Sequence, residues 1–149
     1  MDILVVLRKL GEMESEASKA YEWVASLLQD DANAREFFLK LSEVEKAHFD
    51  LVKYQERVVR KAPKDFAPVD VNIAAIDKAI AMIAAFRKTK PDLRGAIRFA
   101  LDLETEIAVS YTASVMNQSN KDFAQVVQGL TANSQGNHYK ELIQFAAAQ

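Results

Sequence analysis

Two nine-residue stretches, MESEASKAY (Met13–Tyr21) and LETEIAVSY (Leu103–Tyr111), stand 90 positions apart and keep their ionisable residues in step. Glu14 matches Glu104, Glu16 matches Glu106 and Tyr21 matches Tyr111. Upstream, Arg8 matches Arg98 and Glu12 faces Asp102. The same offset carries His48 onto His138, the only other histidine, Phe49 onto Tyr139 and Glu45 onto Gln135. A repeat of this length restricts the fold to one built from two related halves, each a pair of elements.

Those elements read as helices. Leu7, Leu10, Glu14, Ala17, Tyr21, Val24 and Leu28 follow one another at steps of three and four, which traces one face of a helix over Ile3–Leu28. The turn QDDAN brings aspartates that can cap a second helix, whose inner face is Phe38, Leu41, Glu45, His48 and Val52 and which fades near Lys61. A third long helix is predicted over Leu93–Met116, with Ile97, Ala100, Glu104, Ile107 and Tyr111 in line, and a fourth over Asp122–Ala147. Between the second and third, KAPKDFAPVD is a proline-broken connector, and VNIAAIDKAIAMIAAFRK forms a shorter helix within the crossover. Four glycines and three prolines in 149 residues leave the chain free to be helical throughout, and no strand pattern of comparable length competes. The expected fold is all-α: a single domain over 1–149, a four-helix bundle with a long crossover that contains a short extra helix.

Chemistry enters through the seam. Glu14 lies between Leu10 and Ala17 on its face, and Glu104 between Ala100 and Ile107, so both carboxylates are predicted to be buried. An unpaired ionised carboxylate in an apolar interior costs several kcal/mol. No lysine or arginine shares the seam to neutralise all of these acids, and a cation would do so. With no cysteine in the chain, carboxylates and imidazoles are the ligand types present, and they suit iron or manganese. Single glutamates on two helices, with Glu-x-x-His on the others, form the ligand pattern of di-metal helical bundles; Glu14, Glu104 and the Glu45–His48 pair fit it. Tyr21 and Tyr111, seven residues beyond Glu14 and Glu104, share those faces as core residues, or as neighbours of the site with a hydrogen-bonding or redox role.

GEMESEASKAYEWVA with LKLSEVEKAHFDLV resembles the first helix pair of rubrerythrin-like members of the ferritin-like superfamily, and LDLETEIAVSYTA resembles that family's third helix. The resemblance covers nearly the whole chain. It implies a ferritin-like bundle with a non-haem iron site of two metals, or of one, and chemistry on peroxide or on dioxygen and ferrous iron. Manganese and zinc stay open as alternatives. It also implies a homodimer. Many rubrerythrins carry a further iron centre held by cysteines; this chain has none, so an electron donor would be a separate molecule.

The fourth helix departs from that pattern. TANSQGNHYKEL places Gln135 where the family has glutamate, so Gln135 is a weak ligand beside His138. Glu141, three residues after His138, and Glu106, on the far side of an ideal helix from Glu104, are the acids that could compensate. The competing expectation is a degenerate bundle with a partial metal site, serving interaction or metal sensing. The net charge of −2 argues against nucleic acid and anionic membrane as partners. No apolar run is long enough to span a bilayer, and the first residues do not read as a signal peptide, so a cytoplasmic location is expected.

Overall fold

The structure is a computed structural model that describes residues 2–66, 73–116 and 137–149; side chains at 112–116, Asn137 and His138 lie outside the description. Five α-helices and one 3-10 turn are present among these residues, and no strand. They are α1 (Ile3–Leu27), α2 (Ala32–Lys61), α3 (Ala74–Phe86), α4 (Leu93–Met116) and α5 (Asn137–Ala147), with the turn at Pro63–Asp65. Three of the long helices begin or end within a residue of the expected bounds. The fourth helix, expected from Asp122, is described only from Asn137.

Side-chain caps set the helix starts. Asp2 accepts a hydrogen bond from the Leu4 N–H at 2.8 Å, and Asp31 from that of Ala34 at 3.0 Å. Asp92 does the same for Gly95 at 2.8 Å. Each satisfies one of the N–H groups that a first helical turn leaves without a partner. The predicted inner faces are the buried ones: Leu7, Leu10, Ala17, Tyr21 and Val24 on α1, Phe38, Leu41 and Val52 on α2, and Ile97, Ala100, Ile107 and Tyr111 on α4. The 90-residue repeat extends to burial. Met13 and Leu103 are both inside, whereas Arg8 and Arg98, and Glu12 and Asp102, all face solvent.

α1 and α2 form the most extensive helix pair. Their contact is tightened by a reciprocal bond, Ser18 Oγ donating to the Ser42 carbonyl and Ser42 Oγ to that of Ser18, each at 2.9 Å. α3 packs on both α1 and α4 through Ile76, Ala79 and Ile83, and so straps the two first-of-pair helices together. Lys9 on α1 reaches Asp77 at 2.7 Å, and Lys78 reaches Glu106 on α4 at 2.6 Å, one ion pair at each flank of the strap. Exposed pairs of this kind contribute at most about 1 kcal/mol each, so the apolar face holds α3 in place. α5 lies against α4 and also touches α2, where Phe145 stacks on Phe37 at 4.1 Å. No helix among the described residues is long and apolar enough to cross a membrane.

Candidate metal centre

α1 and α4 meet through long seam side chains rather than by close backbone approach. The Tyr111 hydroxyl on α4 donates to Glu14 Oε1 on α1 at 2.6 Å, and the Tyr21 hydroxyl on α1 donates to Glu104 Oε1 on α4 at 2.8 Å. Each half of the repeat thus holds the other half's glutamate. All four side chains are buried.

α2 adds Glu45 and His48 from below. One helical turn apart, they point together, and His48 Nδ1 lies 3.0 Å from Glu45 Oε2 and 3.5 Å from Glu14 Oε2. A ligand atom from each of Glu14, Glu45 and His48 lies within 4.8 Å of the others, a spacing at which three donors can close on one metal ion. Glu14 Oε2 is buried and makes no hydrogen bond among the described residues, while Oε1 is held by Tyr111. An acceptor left in this state costs about 1–3 kcal/mol or more, and a cation would satisfy it.

Electrostatics sorts the two facing carboxyls. Burial pushes Glu45 well above the ordinary carboxylate range, and the nearby charges of Glu104 and Glu14 push it further. Burial acts in the same direction on Glu14, but the Glu45 carboxyl and His48 ring that face it, the His48 charge and the Tyr111 hydroxyl outweigh it and hold Glu14 below its usual value. Like charges this close cannot both be ionised cheaply, so one proton stays with the pair and resides on Glu45. Tyr21 and Tyr111 are both driven up, first by burial and then by the carboxylates beside them, which keeps both phenols protonated as donors.

Of the residues singled out in the sequence, the structure brings Glu14, Glu45, His48 and Glu104 together, with Tyr21 and Tyr111 bonded to two of them. Glu141 is not among them. It is 44% exposed and pairs with Lys40 of α2 at 3.2 Å, because its place on α5 faces the α2 surface. Glu106 likewise turns outward to Lys78, as its angular separation from Glu104 requires. Gln135 lies outside the described residues; His138 lies on α5, its side chain outside the description. Sequence reasoning missed Glu56, buried at the far end of α2, where Lys53 at 3.0 Å and Arg60 at 3.5 Å neutralise it. Its spacing from Val52 was the available signal.

No protein-family model, curated protein or solved structure matches the chain. What the fold and site define is therefore a class: an all-helical bundle with a buried carboxylate–histidine group able to hold a metal ion.

Proposed function

We propose that the chain is a ferritin-like, rubrerythrin-like metalloprotein that holds non-haem iron and acts as an oxidoreductase on peroxide or on dioxygen and ferrous iron. The observation that supports this most directly is Glu14 Oε2, a buried carboxylate oxygen facing Glu45 and His48 with no hydrogen bond among the described residues. Ligation falls to Glu14, Glu45, His48 and Glu104, with His138 and the weak ligand Gln135 completing the set. All are oxygen and imidazole donors, the types that iron and manganese take.

Bound metal supplies one-electron redox chemistry and Lewis acidity that no side chain here has. The chain's own residues prepare the site. Tyr111 and Tyr21 fix one oxygen each of Glu14 and Glu104, so the orientation of both carboxylates is set before a cation arrives. Glu45 carries the proton that compensates the metal-free site and releases it on ligation. Leu10, Ala17, Ala100 and Ile107, buried one turn either side of Glu14 and Glu104, give the two carboxylates an apolar setting.

Gln135 supports a second reading, in which the bundle keeps a partial site. Two ferrous ions carry four positive charges, and Glu14, Glu45 and Glu104 balance only three, so a single metal on the Glu-x-x-His half is the alternative. A homodimer and a separate electron donor belong to the same proposal through the family resemblance. Metal content decides between the readings: the full chain is reconstituted with ferrous iron without oxygen and analysed by elemental analysis. About two irons per chain, oxidised faster by peroxide than by dioxygen, support the oxidoreductase; about one supports the partial site. None, in a folded protein, rejects both.

A further inference from the structure

A run of aromatic rings leads from the cluster to the surface of the bundle. Tyr21, whose hydroxyl bonds Glu104, meets Phe99 of α4 edge-on with ring centroids 6.3 Å apart. Phe99 stacks on Phe86 of α3 at 3.7 Å, the planes 4° apart. Phe86 meets the indole of Trp23 edge-on at 5.7 Å. Trp23 is the chain's only tryptophan. It is half-buried, and it lines an open hollow of about 340 Å³ together with Lys19, Glu22, Ser26 and Arg87. The Arg87 guanidinium carbon lies 5.8 Å from its ring centroid.

The two ends of the run are a phenol and an indole, the side chains most easily oxidised by one electron in a chain without cysteine. The phenylalanines between them resist oxidation, but their π systems couple neighbouring rings. Electron transfer through protein falls steeply with distance, so rings in contact form a better path than aliphatic packing of equal length. Tyr21 and Trp23 are two residues apart, roughly 200° round α1, and point to different sides of it. Rings from α3 and α4 join them round the outside of that helix, so the run is a product of the tertiary fold.

We propose that Trp23 is the point at which electrons enter the metal centre, passing singly through Phe86, Phe99 and Tyr21 from a small anionic reductant in the Lys19–Arg87 hollow. The route rests on the metal-binding reading above. With hydrogen peroxide as oxidant, its O–O bond breaks and it leaves as two waters, taking up two electrons and two solvent protons. The electrons come from two molecules of reductant, each oxidised by one electron. Tyr21 gives an electron inward as its phenolic proton shifts to Glu104 Oε1; Trp23 returns an electron to Tyr21 and the proton moves back. Trp23 is then refilled from the hollow. Arg87 disfavours a lasting positive charge on the indole, which favours refilling over accumulation; Lys19 is shared with Glu16 at 3.3 Å, so Arg87, the cation lying over the indole itself, is what draws an anionic donor to the ring.

The test uses the full chain loaded with ferrous iron, then given excess peroxide with or without ferrocyanide as the anionic donor, in the wild type, Trp23→Phe and Phe99→Leu. Without ferrocyanide, peptide mass spectrometry is expected to find oxidised Trp23 in the iron-loaded wild type, little in Phe99→Leu and none in iron-free protein. Freeze-quenched samples should give a paramagnetic radical signal that changes in Trp23→Phe. With ferrocyanide, Trp23 is protected, and Trp23→Phe slows ferrocyanide oxidation about tenfold or more while iron content and the first oxidation of ferrous iron by peroxide are unchanged. Ferrocyanide oxidation at the wild-type rate in Trp23→Phe, or equal Trp23 damage without iron, overturns the route and leaves the metal centre standing. A wild-type chain that binds no iron overturns the metal reading and the route with it. Trp23→Phe keeps an aromatic ring against Phe86, and its iron content reports whether it has folded should Phe99→Leu fail to do so.

Discussion

The Tyr111 hydroxyl lies 2.6 Å from Glu14 Oε1, although the two residues are 97 positions apart in the chain. Its counterpart, Tyr21 on Glu104, reverses the direction of the same bond between the same two helices. The pair gives the sequence repeat a spatial meaning, since each half donates to a buried glutamate carried by the other.

Removing either hydroxyl should expose that dependence. Tyr21→Phe and Tyr111→Phe each leave a buried carboxylate oxygen without its donor, and each is expected to destabilise the metal-free protein by about 1–3 kcal/mol in urea unfolding. Saturating ferrous iron should recover part of the loss, because the cation takes over the oxygen's charge. A loss below a few tenths of a kcal/mol in both variants would contradict the bonding described.

The protonated state of Glu45 sets a pH dependence for the metal-free chain. A carboxyl whose folded value is raised contributes stability that is present at low pH and lost as pH climbs through the raised value. Glu14, held low, contributes stability above the ordinary carboxylate range that is lost only as pH falls through its own depressed value. Thermal stability should therefore peak at mildly acidic pH and decline towards alkaline pH. Glu45→Gln, neutral at every pH, should flatten that decline and raise the melting temperature at pH 8 by roughly 2–4 °C, or about 1 kcal/mol, while abolishing iron binding.

Metal affinity should run the other way. Ligation by Glu45 requires its proton to leave, so apparent affinity rises with pH between the ordinary carboxylate range and Glu45's raised value, then levels off. Calorimetric titration with ferrous iron or manganese in two buffers of different ionisation heat measures the proton released. No release just above the ordinary carboxylate range, where a raised Glu45 still holds its proton, would mean that Glu45 is not a ligand.

Gln135→Glu supplies the carboxylate that the two-metal reading proposed above lacks at that position. Iron content is expected to rise from about one to about two per chain if the natural site is lopsided, and to stay at about two if the glutamine already ligates. Elemental analysis separates the two outcomes, and no iron in either protein would remove the premise.

The helix faces were legible because burial follows a three-and-four spacing that a sequence displays directly; Phe38, Leu41, Glu45, His48 and Val52 are all inside as that spacing requires. What spacing does not show is which element stands opposite. Tyr21 and Glu104 could be placed on inner faces, but not bonded to each other. Glu141 shares a face with His138 by count, yet α5 presents it to Lys40. The ring run was hidden for the same reason: Trp23, Phe86 and Phe99 belong to three helices, and only the strap of α3 across α1 and α4 brings them into contact.

That strap also breaks the kinship of the halves. The repeat partner of Trp23 is Ala113, which offers no ring, and α3 has no counterpart between α1 and α2, which a tight turn joins. On the route proposed above, a site made by two like halves is wired from one end. Any pair of metals it holds would be unequal in electron supply as well as in ligands, and a duplicated scaffold would have acquired polarity through one inserted helix.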